Sequence, residues 1–466
     1  MTPESVWFQE RHYEELTAHL LSHPNGKERV AFVLYGASGE AFDEPTRFLS
    51  YAIYAVPDEH LVSNSRGHVT WANEITFPFL KRCRAERLHF GIIHSHIGVA
   101  AEFSPIDDEG ETGLSELVRH RNGNSAVLVS TVVSTDGTIN SRVWRGSTTP
   151  DLVPRIWSIG KRFCARRLPK IDSQDEFLLR QALALGAAFR SLVKELHIAI
   201  VGVGGTGSAV ATLLARLGVG TLTLIDPDIV EVTNLNRLHG AGMSDATTGR
   251  LKVETVRESI ERMGLGTQVH ICPAKVSEPS TWGFLRSADV IFGCTDDNLG
   301  RLLLNRWAYF YLTPVIDLGL AIEVTKQQPP EVVAMDGRVT VLYPGATCLL
   351  CREIIDAVRA REEGLRDSNP QEYKRQKEEA YVVGEGDPAP SVVTFTTEVA
   401  TMAVNEFIQR LQGYRGKAGS TDSRTRQFHR MHDLRPGDVP KPDCPICSDT
   451  FYWGRGDVEP LLDQVW

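Results

Sequence analysis

The stretch His197–Arg237, HIAIVGVGGTGSAVATLLARLGVGTLTLIDPDIVEVTNLNR, limits the possible folds more than any other part of the chain. It opens with a short apolar run, His197 to Val201, of the length and character of a buried parallel strand. Gly202-x-Gly204-x-x-Gly207 follows, and from Ala209 to Leu217 apolar residues recur at helical spacing. Gly218 and Gly220 stop that helix, and Leu222 to Ile225 form a second strand ending on Asp226. Strand, glycine turn, helix and strand make a βαβ unit, the building block of an α/β, Rossmann-like domain. The glycines allow a tight turn and let backbone N–H groups approach phosphate oxygens at the helix start. An acid about 20 residues further on, here Asp226, is placed to hold a ribose hydroxyl.

The next residues separate this unit from a hydride-transfer domain. Asp226-Pro-Asp228 leads into a polar cluster ending Asn234-Leu-Asn236-Arg237, and Gly249-Arg-Leu-Lys252 follows. Later come Cys294-Thr-Asp296-Asp-Asn298, then Arg301 and Asn305 at helical spacing. Arginine, lysine and aspartate around one nucleotide suit ATP chemistry, because the cations neutralise the triphosphate and a carboxylate can hold Mg²⁺.

With these motifs the segment resembles the adenylating domain of the ThiF/MoeB/HesA family, relatives of ubiquitin-activating enzymes, over roughly residues 170–450. The resemblance implies that Gly202, Gly204 and Gly207 form the phosphate loop and that Asp226 binds the ribose. It implies that Asn234, Arg237 and Lys252 contact the triphosphate and that Asp296 is the magnesium-linked aspartate. Arg180-Gln181 is similar to a pair whose arginine reaches the nucleotide of the partner subunit, which implies a homodimer.

A second constellation lies upstream: His94-Ser-His96-Ile-Gly-Val-Ala-Ala-Glu-Phe-Ser104-Pro-Ile-Asp107. Two histidines two apart on a strand share one face, so both imidazoles can meet one metal ion. Asp107, returned by the intervening loop, can supply a third ligand, leaving a position open for water as catalytic zinc sites do. The string matches H-x-H-x₇-S-x-x-D and thus resembles the JAMM/JAB metallo-isopeptidases. That resemblance implies His94, His96 and Asp107 as ligands, Ser104 as oxyanion stabiliser and a glutamate on an earlier strand as general base. Glu28, at the head of ERVAFVLYG, matches best, and Glu40 is second.

Around it, Gln9 to Leu21 is expected to be an amphipathic helix, and Arg29–Tyr35 and Leu88–His94 strands. Ala126–Ser134 and Ile139–Trp144 are expected to form a hairpin about Asp136-Gly137. Residues 161–177, charged and carrying a proline, are expected to be a linker, and Glu176–Leu192 a helix bearing Arg180.

Of eight cysteines, four fall in the pairs Cys348-x-x-Cys351 and Cys444-x-x-Cys447, the pattern of a closed, structural four-sulfur zinc site. Between them the charged segment Arg352–Glu379 is expected to cover the active site, Val393–Leu411 to be a helix, and Arg424–His432 a strand. This crossover has no cysteine, whereas members that pass a ubiquitin-like protein onward usually carry a nucleophilic one there. Cys272 and Cys294 are simplest as small core residues. Either the reaction stops at the acyl-adenylate, or a hydroxyl such as Ser391 or Thr394 accepts the acyl group, or a partner supplies the thiol.

Net charge is −9 over 466 residues, which gives no general attraction to nucleic acid or anionic membrane. No apolar run approaches the roughly 20 residues of a membrane helix, and the N-terminus lacks a signal-peptide pattern, so a cytoplasmic location is expected. The expected organisation is an α+β JAMM/JAB-like metallopeptidase domain over residues 1–165 and a ThiF-like adenylating domain over 166–466. The implied cofactors are ATP, Mg²⁺ and two Zn²⁺, one structural and one catalytic. The implied partner is a ubiquitin-like protein, with a conjugating enzyme beyond it, as in bacterial ubiquitin-like conjugation operons, some linked to phage defence. Two alternatives stand beside this: a sulfur-carrier activator in cofactor biosynthesis, and a first domain that only docks the ubiquitin-like protein.

Overall fold

The computed structural model describes residues 4–41, 44–146, 149–168, 175–378, 390–416 and 419–458. The chain divides into two compact units. The first holds residues 4–168, Phe310–Leu312 and the segment from Thr450. The second holds most of the remainder.

The first unit is built on a mixed nine-stranded sheet. Its spatial order is Phe163–Arg167, Arg155–Ile159, Ser5–Gln9, Glu44–Ala55, Val30–Ala41, His89–His96, Leu128–Ser134, Ile139–Trp144 and Asp151–Val153. Both faces are covered, and the central strand shows why. Ala31, Val33 and Tyr35 enter one core with Phe8, Leu16 and Leu20, on the side of the helix Glu10–Leu20. The intervening Val30, Phe32 and Leu34 enter a second core with Leu80, Cys83, Leu114 and Val118, from the helices Phe77–Glu86 and Pro105–Asn122. Phe90 and Ile92 share that second face, so by alternation His94 and His96 emerge beneath the helix that carries Asp107.

The segment from Thr450 closes on this unit. Gly456 bridges Ala37, and Asp457 accepts from the Gly39 N–H at 3.0 Å and the Tyr311 hydroxyl at 2.7 Å. The approach is so close that a Cβ on Gly36 would lie 2.0 Å from the Gly454 carbonyl oxygen.

The second unit has an eight-stranded sheet: Gln268–Cys272, Thr221–Ile225, His197–Val201, Val290–Gly293, Val315–Val324, Val332–Leu342, Ser423–Gln427 and His432–Leu434. The first five run parallel, and the last three extend the sheet antiparallel. Strand order reverses direction at His197–Val201, the switch point where ligands bind in open α/β sheets.

Several expectations shift. The helix expected over Glu176–Leu192 breaks at Gly186, with φ of +85°, into Leu179–Leu185 and Ala187–Glu195. Part of the expected linker, Phe163–Arg167, is an edge strand, whose half-buried Arg166 donates to the Ser158 hydroxyl at 2.8 Å and lies over the Tyr13 ring. The strand expected over Arg424–His432 is two strands turning at Met431, and the charged crossover folds as the helices Ala357–Ser368 and Pro370–Glu378. Among the described residues no helix is long and apolar enough to cross a membrane.

Candidate functional site

In the second unit a cleft of about 610 Å³ opens at the switch point. Gly202 and Gly204 line it with Asp226, Asp228, Arg237, Lys252, Asp296 and Arg301. The glycine loop is enforced by close packing. Gly202 has φ of +87°, and a Cβ there would lie 2.7 Å from the Cys294 backbone. A Cβ on Gly207 would lie 1.9 Å from the Gly202 carbonyl oxygen. Asp226 is fixed by two backbone donors, Val203 N–H at 2.6 Å and Asp228 N–H at 2.9 Å. Burial raises its carboxyl pKa against the pull of Lys252. The Lys252 ammonium rests on Asp228 Oδ2 at 2.7 Å. Arg237 donates to the Thr233 carbonyl at 2.8 Å and the Asn236 side chain at 3.0 Å.

Two expected residues stand elsewhere. Asn234 is not among the lining residues; its side-chain oxygen accepts from the Glu231 N–H at 3.1 Å, holding the turn that presents Arg237. Arg180 is exposed on its helix, outside the cleft of its own chain, while Gln181 donates to the Leu217 carbonyl at 3.0 Å.

The charged crossover reaches the cleft with Glu363, Arg366 and Asp367. Glu363 accepts from the Leu299 N–H at 2.7 Å, capping the helix Asn298–Phe310 across the chain, and Lys275 pairs with Asp367 at 2.6 Å. Nothing in the spacing of Lys275 or Glu363 marks them in the sequence. Arg301 lies 3.7 Å from Asp317, a fully buried carboxylate whose other oxygen accepts from Arg338 at 2.6 Å. Burial also raises the thiol pKa of Cys272 and Cys294, which keeps both protonated. Ser391 lines the cleft and Thr394 does not.

In the first unit His94 Nε2 lies 3.2 Å from His96 Nε2 and 3.3 Å from Asp107 Oδ1, and His96 Nε2 lies 3.6 Å from Asp107 Oδ2. These ligand atoms lie within 4.8 Å of one another, a set that could hold a metal ion. Asp107 is the third residue of its helix, and Ser104 is the cap. The Ser104 N–H and hydroxyl both donate to Asp107 Oδ2, at 2.7 and 2.8 Å. Burial opposes ionisation of Asp107, but its hydrogen bonds with the two imidazoles outweigh that and hold its carboxyl well below the usual range. Glu28 is buried, and that burial pushes its carboxyl up to about 7, against the attraction of His94 and His96. The side chain of Glu40 lies outside the described residues.

Cys348, Cys351, Cys444 and Cys447, all buried, also lie within 4.8 Å of one another. Cys348 Sγ is 3.6 Å from Cys444 Sγ and Cys351 Sγ 3.5 Å from Cys447 Sγ, and the Lys441 N–H donates to Cys351 at 3.3 Å. Four convergent sulfurs are a donor set that could hold a metal ion.

The fold and cleft define a mixed α/β, Rossmann-like adenylating domain, and comparison with known proteins agrees. The model of the ThiF family matches residues 178–446, more than half of the chain, and the protein belongs to that family. Molybdopterin-synthase adenylyltransferase of Escherichia coli is 28% identical over 279 residues, 58% of this chain and 94% of that protein. Adenylyltransferase and sulfurtransferase MOCS3 of Drosophila willistoni is 32% identical over 163 residues, 34% of this chain and 32% of its own. The crystal structure of E. coli MccB with ATP superposes with a TM-score of 0.45 at 17% identity, covering 60% of this chain and 76% of MccB.

Proposed function

We propose that the protein adenylates the C-terminal carboxylate of a ubiquitin-like or sulfur-carrier protein, and that its first unit hydrolyses precursors or conjugates of that same protein. Adenylyltransferase activity follows from the family. The observation that carries the finer reading is the convergence of the glycine loop, Asp226, Arg237, Lys252 and Asp296 on one cleft.

In the reaction a carboxylate oxygen of the carrier attacks the α-phosphorus of ATP, the bond to the bridging oxygen breaks, and pyrophosphate leaves. Backbone N–H groups of the Gly202–Gly207 loop cradle the phosphates, and Asp226, its carboxylate fixed by Val203 and Asp228, takes the ribose. Arg237 and Lys252 neutralise charge on the departing pyrophosphate, and Asp296 would hold Mg²⁺. The exposed Arg180 is free to reach the nucleotide of a second copy in a homodimer.

The acyl-adenylate then meets no thiol in the crossover, since none stands between Cys351 and Cys444 and burial keeps Cys272 and Cys294 protonated. This favours release of the adenylate to a partner, a sulfur-transfer protein or a conjugating enzyme, over an acyl-thioester on this chain.

In the first unit the imidazoles of His94 and His96 and the carboxylate of Asp107 would hold Zn²⁺, a donor set that suits it. Zinc bound there supplies a water acidic enough to attack near neutral pH. Glu28, buried beside the two histidines, would take and return the proton of that water. Ser104, engaged with Asp107, holds that ligand in line.

Incubation of the full chain with ATP and candidate carriers, read by intact mass, tests the adenylating half. A carrier gaining the mass of AMP is expected; AMP on none of the ubiquitin-like or sulfur-carrier proteins overturns it. For the metallo half, Glu28→Ala should keep the metal and lose cleavage of a tailed carrier, and His94→Ala should lose both. A wild-type protein that binds no metal at His94, His96 and Asp107 leaves the docking reading in its place.

A further inference from the structure

The residues around the three candidate ligands contain a second arrangement that no motif marks. Arg142, on the strand Ile139–Trp144, is 4% exposed. Its Nε donates to Glu111 Oε2 at 2.8 Å and its Nη1 to Asp108 Oδ1 at 2.5 Å. Its guanidinium carbon sits 3.8 Å from the centre of the Phe103 ring, and that ring meets His94 edge-on at 6.5 Å. Glu111 is saturated by two more donors, Trp144 Nε1 at 2.7 Å and Ser130 Oγ at 2.6 Å.

These contacts bracket Asp107. Phe103 precedes its cap, Asp108 follows it, and Glu111 lies one turn further along the same helix. A first helical turn is poorly held by its own hydrogen bonds, since its N–H groups lack intrahelical partners. A metal ligand there needs outside support to stay within about 0.5 Å of a working position. A planar guanidinium grips two carboxylates from a rigid fork while stacking flat on an aromatic face; an ammonium is a point charge without that fixed geometry.

We propose that Arg142 is a positioning residue for the metal centre, clamping both flanks of Asp107 so that its carboxylate stays aimed at His94 and His96. The inference rests on reading those three residues as metal ligands.

The test uses the full chain, stripped of metal and titrated with Co²⁺. The four-cysteine site then reports through its sulfur-to-metal charge-transfer band, and the histidine site through its weaker visible bands alone. Removing a residue that orients a ligand typically lowers metal affinity by about 10–100-fold, and this is expected for Arg142→Met at the histidine site, with the cysteine site unmoved. Arg142→Lys, which keeps the charge without the fork, should fall between. Asp108→Ala removes one exposed contact without threatening the fold, and should weaken the site by about two- to fivefold. A well-folded Arg142→Met with wild-type Co²⁺ affinity and visible spectrum refutes the proposal. If Arg142→Met does not fold, an unchanged Asp108→Ala refutes it instead. Wild-type protein with Co²⁺ bands from the cysteine site only refutes the ligand reading itself.

Discussion

Replacing Asp228 with Asn should strengthen ATP binding, although it deletes a charged contact from the cleft. Lys252 now rests on Asp228 at 2.7 Å, with the lysine side chain 13% exposed and the aspartate 62%. A triphosphate entering the cleft must draw the ammonium away from that partner. An ion pair with a well-exposed member contributes about 0.2–1 kcal/mol. Freeing the lysine therefore lowers the apparent dissociation constant for ATP by at most about fivefold. The gain should shrink as ionic strength rises, because salt screens the pair in the unliganded protein. Lys252→Ala, by contrast, removes the cation proposed to meet charge on the departing pyrophosphate and should cost on the order of 100-fold or more in turnover. ATP titrations of the two single variants and the double variant complete the measurement. The gain should depend on Lys252. Weaker ATP binding by Asp228→Asn refutes the reasoning, and so does an undiminished gain in the Lys252→Ala background, which would trace it to bare charge repulsion.

Cys348→Ser should lose one zinc and destabilise the second unit by several kcal/mol, out of the roughly 10–16 kcal/mol a structural zinc supplies; metal analysis beside thermal unfolding checks both. Gly207→Ala should distort the loop and cost at least about 100-fold in turnover, because its Cβ would lie 1.9 Å from the Gly202 carbonyl oxygen. Gly204→Ala should unfold at the wild-type temperature yet bind ATP more weakly, since its Cβ meets no protein atom within 4 Å and projects from a cleft-lining position.

The sequence was most informative where backbone chemistry leaves few choices. Gly202 and Gly207 stand where any side chain collides with backbone, so their spacing marks the loop by itself. His94 and His96 are recognisable because a strand alternates faces, and Ser104 with Asp107 because a cap and its third residue are local. Legibility fails where the controlling contact is distant. The ribbon Val315–Val324 with Val332–Leu342 is joined through residues 325–331 rather than by a two-residue hairpin turn, so only the sheet reveals it. Phe163–Arg167 resembles a linker because edge strands tolerate charge. Asn234 illustrates a motif residue whose side chain serves the local turn rather than the cleft. Arg142 joins residues 31 and 34 positions away, a pairing no periodicity displays.

ATP–pyrophosphate exchange reads the proposed activation of a carrier protein's carboxylate at the switch-point cleft, free of any later step. The full chain should exchange labelled pyrophosphate into ATP only when a ubiquitin-like or sulfur-carrier protein with a free C-terminal carboxylate is present. Asp296→Ala, lacking the carboxylate that would hold Mg²⁺, should lower that exchange by orders of magnitude while leaving the protein folded. Carrier-dependent exchange that vanishes in Asp296→Ala is the predicted result. Exchange that needs no carrier, or that persists in Asp296→Ala at the wild-type rate, would contradict the account.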